Sequence, residues 1–335
     1  MGYLLQSATG QMAMLRKRVP IEEVLRQDTL SEEKKVKLRL AEKAKTFAEA
    51  ELGLKKTGSY RSFVQLDQPF VTYVVSAASQ WELKPYLWHF PIVGEVPYKG
   101  YFNEKDAIEE DEELKKQGLD TFRRGVSAYS TLGWFDDPVL SSMLEDEAHH
   151  LVNTIIHETV HATLYIRSSA DFNERLASFL GNMGAELFFL REEGPDSPTV
   201  ARIRAENADE KLFSTFISKE LRDLEDWYKT SPEHNEERRT TRLESIAHHF
   251  SEEVLPHLQS DSYRRFANIK LNNARLLLFK TYVADQSDYE RVYDKLERNF
   301  PLFVKLAQKL EKEEHPEAKL KEWDAKTPEE LRAML

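Results

Sequence analysis

Asn153-Thr-Ile-Ile-His157-Glu158-Thr-Val-His161-Ala-Thr-Leu-Tyr165-Ile166, inside the stretch 151–190, decides how the chain is read. On an α-helix, residues four apart lie nearly above one another, so His157 and His161 project from one face, close enough to share an ion. Glu158 follows the first histidine by about 100° and can flank a metal without ligating it. In this His-Glu-x-x-His arrangement two imidazoles bind Zn²⁺ and the carboxylate serves as general base toward an activated water. Leu151, Val152, Ile155, Ile156, Val160, Ala162, Leu164 and Ile166 spread apolar side chains round most of the helix, which implies a central, buried element. Two histidines and a glutamate in such a helix carry a desolvation cost unless paired or metal-bound. The competing reading makes both histidines satisfied core residues and Glu158 a half-solvated carboxylate.

A zinc site of this kind needs a third protein ligand and an open position for water. The metzincin pattern requires Gly and His three and six residues after the second histidine; Leu164 and Arg167 stand there, which excludes it. The gluzincin pattern takes a Glu from the next helix, and Glu174 in Asp171-Phe-Asn-Glu174-Arg-Leu-Ala-Ser is the candidate, twelve residues after His161. Asp171-x-x-Glu174 also reads as a capping box. Both readings stand if Asp171 alone caps the helix and Glu174 turns toward the metal.

His157-Glu-Thr-Val-His161-Ala-Thr-Leu-Tyr, followed by Phe172-Asn-Glu174-Arg-Leu-Ala, resembles a family of bacterial predicted aminopeptidases of zincin type. Gly2-Tyr-Leu-Leu-Gln-Ser-Ala-Thr-Gly-Gln11, Gly58-Ser-Tyr-Arg-Ser-Phe63, Phe90-Pro-Ile-Val-Gly-Glu-Val-Pro-Tyr-Lys-Gly-Tyr-Phe102 and Ala128-Tyr-Ser-Thr-Leu-Gly-Trp-Phe-Asp-Asp-Pro138 carry the same resemblance, with Asn272-Asn273-Ala as a later echo. It implies one Zn²⁺ per chain, Glu174 as third ligand and a peptide substrate. It also places Ala128, Tyr129, Ser130, Thr131, Leu132 and Gly133 as an edge strand that pairs with substrate backbone. The alternative for that segment is that Trp134 and Phe135 close the core before a helix capped by Asp136 or Asp137. Members of the family commonly carry a leader or lipoprotein anchor just upstream, so the resemblance implies the bacterial periplasm or envelope if a leader has been removed and the cytoplasm otherwise.

The 335 residues include 41% hydrophobic and 11% aromatic side chains, enough for a substantial core. With 47 basic against 58 acidic side chains the net charge is -11, which argues against a nucleic-acid partner. No cysteine is present, so neither disulfides nor thiolate ligands enter. No run reaches the length of a membrane span, and Met1-Gly-Tyr-Leu-Leu lacks the basic and long apolar regions of a signal peptide.

Helical spacing predicts helices over 3–18, after Pro20, from Ser31 to Gly53, and over 103–117 with Asn103 as cap. Strands are expected at 70–76, 87–94 and 125–135, where β-branched and aromatic residues are bounded by Gly or Pro. His89 reads as a packed or hydrogen-bonded strand residue, and His149, His150, His248 and His249 as surface residues. Beyond the turn Gly194-Pro-Asp-Ser-Pro198, helices are expected at about 199–229, 232–255, 260–284 and 287–311, with a charged peripheral tail from Glu311. The expected fold is α+β and predominantly helical, zincin-like, with a small mixed sheet beside the His-bearing helix. Residues 1–192 would hold the N-terminal helices, sheet and active-site helices, and 193–335 a helical subdomain closing the cleft.

The expected chemistry is metal-assisted peptide hydrolysis, with His157, His161 and Glu174 as ligands and Glu158 as proton carrier. Tyr129 and Tyr282 are candidate oxyanion donors, and Asn153 and Asn173 candidate orienters of the ligands. A Gly-x-Met-Glu-Asn element for a free α-amine is absent; Gly184-Ala-Glu186 is a partial echo. Endopeptidase action, or a zincin-fold binding or scaffold protein of the cell envelope without turnover, are the alternatives.

Overall fold

A computed structural model describes residues 2–90, 94–128, 131, 135–231, 233–283 and 285–335, with side chains from residue 9 onward. The chain is α+β and predominantly helical. It opens with α1 (Gly2–Arg16), strand β1 (Val19–Pro20), α2 (Ile21–Arg26) and α3 (Glu32–Ala50). Ser31 caps α3 by accepting from the Lys34 amide, as its sequence position requires.

Strands β2 (Ser62–Val64), β3 (Thr72–Ser79), β4 (Trp88–Phe90), β5 (Gly94–Val96) and β6 (Tyr98–Tyr101) come next, then α4 (Glu104–Lys116), β7 (Leu119–Val126) and β8 (Val139–Leu140). Three small sheets result: β1-β2-β8, with β2 and β8 parallel; an antiparallel β6-β3-β7; and the β4-β5 hairpin. The strand expected at 125–135 is displaced. The ladder ends at the pair Thr72 and Val126; Ala128 and Thr131 lie in irregular backbone, while Tyr129, Ser130, Leu132, Gly133 and Trp134 lie outside the described residues. No helix follows Asp136 and Asp137. Asp137 instead accepts from the Thr131 amide and hydroxyl at 2.8 and 3.0 Å, β8 follows, and Phe135 is exposed rather than closing the core.

The two motif-bearing helices are α5 (Ala148–Thr163) and α6 (Ala170–Glu193). Leu151, Val152, Ile155 and Ile156 of α5 are all fully buried, each stabilising by about 1.5–3 kcal/mol relative to exposure. They pack with Leu38 and Phe47 of α3 and Leu176, Phe179 and Phe188 of α6 in one apolar cluster.

The chain continues through α7 (Pro198–Thr230), α8 (Glu236–Glu253), α9 (Asn273–Val283), α10 (Ser287–Lys295), α11 (Phe300–Ala307), α12 (Pro316–Asp324) and α13 (Pro328–Ala333). The helix expected over 260–284 is broken: a 3₁₀ turn at Arg264–Asn268 precedes an irregular run, and α9 begins only where the Asn273 amide donates to Asp120 at 2.8 Å. The Asn273 side chain donates to the carbonyls of Ser79 and Gln80, and Asn272 to that of Thr121, which clamps α9 onto β3 and β7. The tail is not peripheral. Leu320 and Trp323 of α12 and Leu331 of α13 are buried in the same cluster as α5 and α6, because their spacing puts an apolar stripe on otherwise charged helices. A second cluster, around Phe213, Phe250 and Phe266, joins α7, α8 and the 3₁₀ turn.

Candidate metal centre

Helix periodicity brings His157 and His161 to one face of α5, with their Nε2 atoms 3.1 Å apart. A six-residue connection, 164–169, returns the chain so that α6 lies alongside. Asn173 fixes that return: its amide donates to the Ile166 carbonyl at 2.7 Å and its Oδ1 accepts from the Ile166 amide at 2.9 Å. The next residue, Glu174, then directs Oε2 to 3.4 Å from His157 Nε2 and 3.5 Å from His161 Nε2. An ion held at 2.0–2.1 Å in tetrahedral geometry spaces its ligand atoms roughly 3.3 Å apart. These three donors match that spacing, so the residues fit a metal ion.

The close approach of the two helices rests on glycine. A Cβ at Gly181 would sit 2.9 Å from Asn153 Oδ1 and 3.3 Å from His157 Cβ, and one at Gly184 would sit 2.9 Å from Ile156 Cγ2. Asn153 donates to Asn182 at 2.7 Å, and Asn182 to Glu210 at 3.0 Å. Asn153 therefore braces the helix pair one turn from His157, while Asn173 sets the position of Glu174.

Asp171 does not cap α6. The helix already runs from Ala170, and Asp171 Oδ1 accepts from the Thr281 hydroxyl at 2.8 Å. Glu174 is consequently released from a capping role. Burial by itself would raise its carboxyl, but the neighbouring His161 and hydrogen bonds with both imidazoles reverse this and hold it far below the usual carboxylate range. Its other oxygen, Oε1, accepts from the Tyr98 hydroxyl at 3.3 Å. His161 is buried, and its Nδ1 has no hydrogen-bond partner among the described residues, so packing against Tyr165, ring centroids 6.3 Å apart, orients it.

Tyrosines surround the centre. Burial raises the phenols of Tyr60, Tyr98, Tyr165 and Tyr282; next in size come the charge of Glu158 for Tyr60 and that of Glu174 for the other three. Tyr165 is pushed up to about 12. All four stay protonated near neutral pH. Glu158 is half-buried and its charge reaches both Tyr60 and Tyr282, so these two phenols flank it. Tyr60 has φ +63°, a left-handed conformation that non-glycine residues adopt mainly where the surroundings enforce it; here its amide donates to the Asp137 carbonyl at 2.6 Å. Arg124 of β7 donates to the Tyr282 hydroxyl at 3.3 Å.

Of the residues expected from the sequence, His157, His161 and Glu174 converge, and Glu158 and Tyr282 lie beside them. Tyr129 lies outside the described residues, as do Ser130, Leu132 and Gly133. Ala128 is buried, and Thr131 is held by Asp137. Tyr60 and Tyr98 had no assigned role, although each falls in a stretch that carries the family resemblance. Glu186 of the partial echo is engaged by Arg204 at 2.7 Å. His89 is hydrogen-bonded as expected, at 2.6 Å from Glu95, but exposed. His149, expected on the surface, is buried; it and His150 approach Glu206 at 2.9 and 3.1 Å, forming a second cluster able to hold a metal. His248 is exposed, and His249 pairs with Glu220 at 2.8 Å.

Tyr98 also lines a cavity of about 560 Å³ between the sheet, α9, the connection into α6 and the start of α12. Its walls carry charge of both signs, Glu95, Asp171, Glu314 and Glu317 with Lys280, and Glu317 is paired with Arg175. Among the described residues no helix is long and apolar enough to cross a membrane.

Fold and site together describe a predominantly helical α+β protein with a His-His-Glu cluster able to hold a metal ion. The model of the family described as "Putative aminopeptidase" matches residues 2–321, and the chain belongs to that family. No curated protein and no solved structure matches it.

Proposed function

We propose that the protein is a zinc-dependent peptidase of zincin type with a gluzincin-like ligand set, acting as an aminopeptidase. The observation that carries this is the convergence of His157 Nε2, His161 Nε2 and Glu174 Oε2 at 3.1, 3.4 and 3.5 Å. Two imidazoles and a carboxylate are the donor set of a catalytic zinc site that keeps a position open. Bound there, zinc supplies Lewis-acid polarisation of the scissile carbonyl and acidifies the attacking water.

The remaining work falls to the chain. Glu158, next to His157 but not among the converging donors, takes the proton from the water and returns it to the leaving amine. Tyr60 and Tyr282, held protonated beside Glu158, donate to the developing oxyanion. Tyr98 holds Oε1 of Glu174, so that Oε2 faces the imidazoles. The cavity that Tyr98 lines falls in the size range of ligand pockets. The family match supports exopeptidase action over endopeptidase action.

The test is metal content by mass spectrometry together with a peptide panel. The expected result is about one equivalent of zinc at this centre and hydrolysis of peptides with free, not acetylated, N-termini. A metal-loaded protein that hydrolyses no peptide overturns the reading.

A further inference from the structure

Two guanidinium groups lie along the seam between β7 and α9, one over Tyr282 and the other over Phe122, without an acid to neutralise them. Arg124 of β7 donates Nη2 to the Tyr282 hydroxyl and lies over the Tyr282 ring, 5.3 Å from its centroid. Its Nε is buried with no hydrogen-bond partner. Arg275 of α9 lies over the ring of Phe122, two residues before Arg124 on the same face of the strand, 4.7 Å from its centroid. Burial lowers the Arg275 pKa. Neither arginine forms an ion pair with any described carboxylate, and the residues outside the described set include no acid.

This is unusual for the chain. Acidic side chains outnumber basic ones by 58 to 47, and Arg123, on the opposite face of β7, is paired with Glu104 at 2.8 Å. A half-buried guanidinium without a counter-charge is costly, and a buried N–H with no acceptor adds to that cost. Helical spacing puts Arg275 and Tyr282, seven residues apart, on one face of α9. Both arginines therefore lie along the one seam that Tyr282 and Phe122 line, Arg124 against Tyr282 and Arg275 against Phe122. Tyr282 in turn feels the charges of Glu174 and Glu158, which ties the pair to the metal centre.

We infer that Arg124 and Arg275 form a carboxylate-binding subsite that engages the free C-terminal carboxylate of a short peptide. A planar guanidinium suits a carboxylate because its N–H groups match both oxygens. This inference rests on the peptidase reading for the identity of the ligand, and it makes the substrates di- or tripeptides rather than long chains.

The test uses full-length protein and trialanine, its C-terminal amide, and an amide carrying a terminal aspartate side chain, which separates an α-carboxylate from a side-chain one. Equilibrium binding is measured by titration calorimetry on the Glu158→Gln protein, and kcat and KM on the parent. Trialanine should bind roughly 10–100-fold more tightly than its amide, since a charge-assisted hydrogen bond contributes about 1.5–3 kcal/mol. Arg124→Gln and Arg275→Gln should each erase most of that preference through KM, with Arg124→Lys retaining part of it and controlling for folding. Equal binding of acid and amide, or a preference untouched by both Gln variants, overturns the subsite. Tighter binding of the aspartyl amide than of trialanine reassigns the ligand to an acidic side chain and overturns the C-terminal form. Acid-selective binding without turnover by the parent sinks the peptidase reading and leaves the subsite standing.

Discussion

The Tyr98 hydroxyl lies 3.3 Å from Oε1 of Glu174, on the oxygen turned away from the two imidazoles. The contact spans 76 positions of sequence and joins strand β6 to helix α6. Burial and the adjacent Glu174 charge keep this phenol protonated, so it donates. A carboxylate anchored through one oxygen presents the other in a fixed direction, and hydrogen bonds of this kind tune metal ligands.

Tyr98→Phe removes that anchor without altering the ring. Zinc affinity should fall roughly 10–100-fold, the usual cost of losing a ligand's supporting hydrogen bond. Competition with a chromogenic chelator measures it, and an unchanged affinity refutes the assignment.

Glu158→Gln should lower kcat/KM by about 10²–10⁴-fold, the range for a lost general base. Its zinc content should equal that of the parent, because Glu158 is not among the three converging donors. Loss of metal in this variant would instead make Glu158 a ligand.

Asp137 offers a pH signature. Burial raises its carboxyl to about 6 despite hydrogen bonds from Thr131 that lower it; Oδ1 is buried without a partner. The unfolded value is about 3.9, so the fold favours the protonated form. Its contribution is therefore greatest below the unfolded value and is lost as pH rises through about 6, by at most about 3 kcal/mol. Asp137→Asn should remove this trend: relative to the variant, the parent loses stability to urea between pH 4.5 and 7.5. A stability difference that does not vary with pH contradicts the assignment.

Asn173→Ala leaves the Ile166 amide and carbonyl without their partners in a buried turn. The expected destabilisation is about 2–4 kcal/mol, read from chemical denaturation, together with weaker zinc retention through the displaced Glu174. Full stability would show that packing alone holds the α5 to α6 connection.

Local periodicity carried much of this architecture. His157 and His161 converge because four residues make nearly one helical turn, and Asn103 and Ser31 cap the helices expected of them. Glu174 is ambiguous in sequence because a capping box and a ligand share the same spacing; Thr281, distant in sequence, occupies Asp171 and removes the capping-box reading. Tyr98 and Tyr60 were invisible as site residues because their roles follow from sheet register and from a turn enforced by Asp137. The strand expected at 125–135 shifted toward the N-terminus because pairing with β3 uses Leu119–Val126, a segment with two arginines and an aspartate that composition alone does not favour. The final helices look peripheral in sequence for a similar reason: charge dominates their composition, while Leu320, Trp323 and Leu331 decide their burial.

The three converging donors all fall within residues 157–174, on two helices joined by a short connection. A cation captured there would close only a small loop, with little entropy to surrender, so the hairpin could fasten around it before distant segments arrive. Refolding rate should then depend on when metal is added: ions supplied at the outset would speed acquisition of structure, whereas ions supplied after collapse would only consolidate it.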